Sequence, residues 1–430
     1  MNLVLRSTRV HLPEETAACD LVIEGERVSS IDPHGAHRDT EATIDVGDLV
    51  VMPGLVDSHV HLNAPGRSHW EGFETGTRAA KAGGITTLVD MPLNSSPVTT
   101  TKTALDVKRE EANGKAHVDV AFYAGLIPGN ATNLAELIRA GAVAAKAFLC
   151  HSGLDEFPNV SETDLRTAMP ILKQLNVPLL VHAELVHAVP AMKNPRRYAD
   201  YLESRPRSFE RNAIESMIEL ADQTGCHVHI VHLADGECIE VIASAKRSGV
   251  PITVETCPHY LCIDSDSIED GQTEFKCAPP IRGHEDREAL WQGLRDGTIE
   301  MIVSDHSPCP PEMKHSDTGR FDQAWGGISS LQIGLPLVWT EAVRRGFTLH
   351  DVIRWMSSGP ASLVKIDQGI QIGAAANLVV FDPDTEWTVR RQNLHHRHPV
   401  TPYHGKRLRG VVRRTYVHGR DDDQPRGKVR

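Results

Sequence analysis

VVMPGLVDSHVH, residues 50–61, is the stretch on which the fold turns. Apolar, partly β-branched residues run up to Asp-Ser-His-Val-His, and in an extended strand side chains two apart share a face. His59 and His61 therefore aim their imidazoles into one place. Working outward, similar short runs recur: ITTLVDMP (85–92), VDVAFYAGL (118–126), VAAKAFL (143–149), VPLLVHAE (177–184), HVHIVHLA (227–234), ITVETCPHY (252–260) and MIVSDHSP (301–308). Helical periodicity fills the intervals. In FERNAIESMIELADQTG (209–225), apolar residues recur three and four apart and Gly225 supplies the stop. Eight such units predict an α/β chain closed into a (β/α)8, TIM-like barrel over residues 53–368.

The flanks read differently. LVLRSTRVHL and DLVIEGERVSSI near the start, and NLVVFDP and GVVRRTYVHG near the end, are short strands with turns. They predict one small β-sandwich domain built from both chain termini, 1–52 and 369–430. A chain of 430 residues fits a barrel of roughly 250 with loop insertions plus this smaller domain.

Composition argues against nucleic-acid and membrane partners. The formal net charge of −12 opposes attraction to phosphate backbones, so no nucleic acid is expected. The basic stretch from Arg390 to Arg420 reads as a solvated strand face and loop. No run of about 18 apolar residues suggests a membrane span, and MNLVLRSTRVHLPEE lacks the features of a secretory leader. The eight cysteines form no C-x-x-C pair, which argues against a disulfide framework or a cysteine zinc site.

The His59/His61 pair taken alone also fits a polar strand face. Position strengthens the case: Lys146, His182, His232 and Asp305 stand at corresponding ends of the fourth, fifth, sixth and eighth predicted strands, where barrels build their active sites. His182 and His232 singly fit core histidines equally well. Asp305 is costly to bury unless it is paired or ligates a cation. Imidazoles with a carboxylate suit Zn²⁺ and its first-row neighbours. Lys146 is the odd member, because an ammonium repels metal cations; snorkelling to the barrel rim is its plain alternative.

With these residues assembled, the chain resembles the cyclic amidases of the amidohydrolase superfamily: dihydroorotases, hydantoinases and allantoinases. PGLVDSHVH, GGITTLVDMP, CPHY, CAPPIR, SDHSP and NLVVFDP stand in that family's order. The resemblance implies two divalent metal ions, zinc by default. His59, His61 and Asp305 would hold one, His182 and His232 the other, with a carboxylated Lys146 bridging them. It implies Asp305 as base and then acid, and His306 and His259 as residues orienting the ligands.

Several segments resemble the allantoinase branch: PGRSHWEGFETGTRAAKAGGITT, MPLNSSP, SDHSPCPPEMK, AWGGISSLQ and HRHPVTPYHGKRLRGVV. Dihydroorotases carry an arginine two residues after the second histidine, where this chain has Asn63; Arg67 or Arg282 would have to compensate. Hydantoinases carry a tyrosine five residues beyond the carboxylated lysine, where this chain has His151. Ala64 also departs from the acidic residue common in that stretch. The substrate so implied is allantoin, with Asn63, His151, Ala278, Ser304 and Gly327 as expected contacts. A cytoplasmic homotetramer is the expected setting. The alternatives are a hydantoinase, a dihydropyrimidinase or a dihydroorotase, and, outside enzymes, an inactive scaffold relative.

Overall fold

Gly54 cuts the deciding stretch in two. In the computed structural model, which describes residues 2–38 and 42–430, a Cβ at this position would lie 2.1 Å from the Thr86 hydroxyl. Only glycine lets the chain pass there. Before it lie β1 (Asn2–His11), β2 (Thr16–Glu24), β3 (Arg27–Pro33), β4 (Thr43–Asp45) and β5 (Val50–Pro53); after it begins β6 (Leu55–Val60). The single strand expected over 50–61 is thus two strands in two different sheets.

The remaining runs give β7 (Ile85–Asp90), β8 (Asp119–Phe122), β9 (Ala124–Gly125), β10 (Ala145–Phe148), β11 (Leu179–His182), β12 (Val228–Ile230), β13 (Ile252–Thr256) and β14 (Met301–Ile302), followed by β15 (Leu378–Thr388) and β16 (Arg407–Tyr416). β6, β7 and β8 pair in parallel, and β9 to β14 form a second parallel set in chain order. β8 and β9 are one predicted strand interrupted at Tyr123. A parallel bridge between Val60 and His306, with the His61 N–H donating to the His306 carbonyl at 2.8 Å, closes the ring. The result is the expected (β/α)8 barrel. Its strands β6, β7, β8, β10 and β11 are buried at every residue, as helices covering a parallel sheet require.

Helix boundaries follow local chemistry. The helix Arg207–Thr224 stops at Gly225, which takes the left-handed conformation at φ 66°. The helix Glu162–Leu175 opens with a Ser161/Asp164 capping box. The strands end earlier than their apolar runs suggest, because the polar tips leave the ladder. His232 (φ 41°) and Asp305 (φ 42°) lie past their strands in left-handed backbone.

Both chain ends build one seven-stranded sheet, in the order β16-β15-β5-β1-β2-β3 with β4 beside β1. It encloses its own sandwich-like apolar cluster, including Leu5, Leu21, Ile23, Val51, Leu378 and Tyr416. Val379, Phe381 and Leu408 belong instead to the barrel's core, so the sheet docks on the barrel through one face. All eight cysteine thiols are free and buried. No helix among the described residues is long and apolar enough to cross a membrane.

Candidate active site

The barrel mouth gathers side chains that lie far apart in the chain. Strand alternation turns His59 and, just past β6, His61 inward. Asp305 meets both, its Oδ1 lying 3.3 Å from His59 Nε2 and 3.7 Å from His61 Nε2, a spacing that one cation can occupy. The His182 and His232 ring centroids are 4.6 Å apart, and that of His59 is 5.4 Å from that of His232. Lys146, fully buried on β10, joins these five around one cavity.

Two of the candidate ligand atoms, Lys146 Nζ and His232 Nδ1, have no hydrogen-bond partner among the described residues. Burying such groups unsatisfied is costly, and a cation with its ligands would satisfy them. Burial pulls Lys146 down to about 7, against the pull of Glu255 and Asp305. Burial, helped by neighbouring His59 and Lys146 for His61 and by His182 and Lys146 for His232, holds both histidines well below their ordinary value. They are neutral rings with a lone pair to offer. The donor set fits two divalent ions.

Carboxylates behind the histidines fix which nitrogen faces the cavity. His59 Nδ1–H donates to Glu255 Oε1 at 2.5 Å, which leaves Nε2 facing Asp305. Glu255 Oε2 also accepts from His229 Nε2 at 2.9 Å, and His229 Nδ1 meets the Thr253 hydroxyl at 2.8 Å. Burial pushes the Glu255 carboxyl up, but His59 and His229 hold it well below the usual carboxylate range. His182 Nε2 donates to Glu184 Oε2 at 2.8 Å, and Arg205 grips both oxygens of Glu184. The sequence reading passed over Glu255, Glu184 and Arg205. The one available signal was an acid inside the apolar run of β13.

Other expected residues divide. Ala278 and Gly327 line the cavity; a Cβ on Gly327 would lie 2.2 Å from the Ser307 carbonyl oxygen. Asn63 and Ser304 are not among the lining residues. Asn63 Nδ2 donates to the Pro308 carbonyl at 3.2 Å, and the Ser304 hydroxyl donates to the His59 carbonyl at 3.4 Å. His151 sits in an outer basin that adjoins the cavity, where its Nδ1 accepts the Gly153 N–H at 3.1 Å. Asn94, Phe148 and Trp325, which the sequence did not single out, line the cavity as well.

The His306 ring stands 3.4 Å from Glu71 and accepts the Ser330 N–H at 3.2 Å. Among the described residues neither ring nitrogen of buried His259 has a hydrogen-bond partner, and burial, with His59 nearby, lowers the ring to about 3. Arg67 pairs with Glu156 at 2.9 Å and Arg282 with Glu210 at 3.5 Å; among the described residues no arginine lines the inner cavity.

Known proteins match this arrangement along nearly the whole chain. An allantoinase of Streptomyces avermitilis is 48% identical over 97% of this chain and 95% of its own length. An allantoinase of Arabidopsis thaliana is 44% identical over 91% of this chain and 81% of its own. The solved L-hydantoinase (dihydropyrimidinase) of Arthrobacter aurescens superimposes with a TM-score of 0.92 at 28% identity, covering 100% of this chain and 97% of that one. The amidohydrolase family model matches residues 50–420, with the His59/His61 pair, the barrel mouth and strands β5, β15 and β16 of the docked sheet inside the match, and the chain belongs to that family.

Proposed function

We propose that the chain is an allantoinase, which opens the ring of allantoin by hydrolysing its cyclic amide to give allantoate. The observation that carries the reading is a cavity with His59, His61, Lys146, His182, His232 and Asp305 converging in a chain whose near full-length relatives bear that name. His59, His61 and Asp305 would hold one divalent ion. His182, with Nε2 committed to Glu184, would offer Nδ1 to a second ion, which His232 would help to hold. Zn²⁺ is the first choice for imidazole and carboxylate ligands. The orphaned Lys146 Nζ, as a neutral amine, is the atom that would take up CO₂ with loss of a proton, giving an anionic carbamate whose oxygens would help to hold the ions. Bound divalent ions supply Lewis acidity, which polarises an amide carbonyl and makes a water acidic.

The chain's own groups do the rest. Asp305 takes the proton of the attacking water and delivers it to the departing ring nitrogen, as base and then acid. Glu255 and Glu184 keep the histidines oriented while charge shifts. Ala278 and Gly327 present backbone to the ring, with Gly327 leaving room that a Cβ would fill. Asn63 and Ser304 stand behind the lining, donating to the Pro308 and His59 carbonyls, and His151 faces whatever arm of the substrate extends into the outer basin. A dihydroorotase would need a cation for the substrate carboxylate, and both Arg67 and Arg282 are committed elsewhere.

Hydrolysis of allantoin, dihydroorotate and a 5-substituted hydantoin is measured side by side on metal-loaded and chelator-stripped protein. Metal-dependent turnover of allantoin above the other two is expected. Preference for the hydantoin overturns the substrate, and no turnover by protein carrying two ions overturns the enzyme.

A further inference from the structure

Lys314 ends the short 3₁₀ turn Pro311–Lys314 and is 3% exposed. Its Nζ pairs with no carboxylate among the described residues. It donates instead to the carbonyls of Trp325, at 3.0 Å, and Gly327. Donation to two carbonyls at once favours the charged form and offsets part of the cost of burying it. Lys314 lines neither the cavity nor the outer basin, whereas Trp325 and Gly326 line both. The lysine stands behind the loop that separates the two spaces.

The peptide between Trp325 and Gly326 is planar and trans, so its N–H points opposite to its C=O. With the carbonyl drawn back to Lys314, the Gly326 N–H is aimed away from the lysine. That N–H has no acceptor among the described residues, and neither has the N–H of Ala278. A Cβ built on Gly326 would make only ordinary van der Waals contact, with Cys277 Cα at 3.8 Å and Ala278 N at 3.9 Å, so nothing crowds the peptide on that side. A peptide whose carbonyl accepts from a cation is polarised, and its N–H becomes the stronger donor.

We propose that Lys314 is a positioning residue: by holding the Trp325 and Gly327 carbonyls it turns the Gly326 N–H into the cavity as a strengthened donor to a carbonyl oxygen of the bound cyclic amide. This rests on the reading of the cavity as a cyclic-amide hydrolase site. Because the oxygen so held is already a carbonyl in the ground state, the interaction is felt in substrate binding and transition state alike, and its loss appears in KM.

Lys314→Met keeps the length of the side chain and removes both donors and the charge; Lys314→Gln keeps one neutral donor. Steady-state kinetics on allantoin is measured for both beside the wild type, with metal content and thermal midpoint. The expected result is a KM raised about tenfold to a hundredfold in the Met variant, with kcat and metal content kept and the Gln variant intermediate. If Met fails to fold, the comparison of Gln with wild type carries the test. Equal KM values across the folded proteins, with only the thermal midpoint lowered, overturn the inference and leave Lys314 a structural clamp. A wild type that does not turn over allantoin overturns the hydrolase reading and this inference with it.

Discussion

Asp20 in the small sheet and Lys146 in the barrel are both fully buried, ionisable and carried on strands, yet their surroundings are opposite. Asp20 accepts from Arg6 Nε at 2.9 Å and Nη2 at 3.1 Å, and from the N–H groups of Gly35 at 3.1 Å and His37 at 3.2 Å. Every lone pair has work. Lys146 Nζ has no hydrogen-bond partner among the described residues, and its neighbours across the cavity include His232, whose Nδ1 is equally alone. Burial without partners is tolerated in a native protein where something else completes the shell. The small sheet spends its buried charge on holding a strand and a turn together, whereas the barrel mouth keeps its polar atoms uncommitted for ions and substrate.

The sharpest way to break that contrast is Asp305→Asn. The variant keeps the shape of the cavity and removes the proton acceptor, so allantoin turnover is expected to fall about a hundredfold to ten-thousandfold. The thermal midpoint of metal-free protein is expected to hold, since asparagine fills the same volume and its oxygen still accepts from the Ser307 hydroxyl. A variant that retains turnover removes Asp305 from the chemistry.

Asp20→Asn is the opposite experiment. Removing one member of a buried, hydrogen-bonded pair takes from the Arg6 guanidinium its buried carboxylate, with the exposed Asp45 left 3.9 Å away, and is expected to cost about 3 kcal/mol of stability, read by denaturant unfolding, while kcat stays unchanged. The loss depends on pH. Burial pushes the Asp20 carboxyl up, but the Arg6 side chain and the Gly35 and His37 amides bring it down to about 2, from an ordinary 3.8. A carboxyl depressed in the fold stabilises fully above its unfolded value and loses that contribution as pH falls through the folded one. The gap between wild type and variant is therefore expected to narrow from pH 4 down toward pH 2. A gap that is constant over that range means the pair is not what holds the strand.

The same contrast explains what was legible in the sequence. β-branched runs marked all eight barrel strands because burial on both faces demands them, and the docked sheet announced itself by short strands at both ends. The strand ends were not legible. HVHIVHLA and MIVSDHSP look extended to their last residue, but His232 and Asp305 turn into left-handed backbone to aim at the cavity, a tertiary demand that no local propensity records. The 50–61 run hid a change of sheet because Gly54 reads as an ordinary turn residue until Thr86 is seen packed against it. Ligand types could be found by their position on successive strands. Their partners could not: Glu255 lies 196 residues from His59, and nothing local to either residue names the other.

Glu255→Gln tests whether that distant partner matters to the uncommitted mouth. Glutamine fills the same volume, and its amide oxygen accepts the His59 Nδ1–H as the carboxylate did. His229 Nε2 then accepts from the amide N–H after a change of tautomer, for which the Thr253 hydroxyl at Nδ1 supplies either role. Geometry is thus kept while the negative charge is lost, and with it the electrostatic push that makes His59 a better ligand. Metal retention during dialysis against a chelator, measured as ions per chain, is expected to weaken about tenfold, at the low end of what partners behind metal ligands contribute. Turnover at saturating metal is expected to recover most of its wild-type value. Unchanged retention means that orientation alone is what Glu255 supplies; the mouth would then depend on its carboxylates for shape, as the small sheet depends on Asp20, and the contrast between the two regions would narrow to Lys146 and His232.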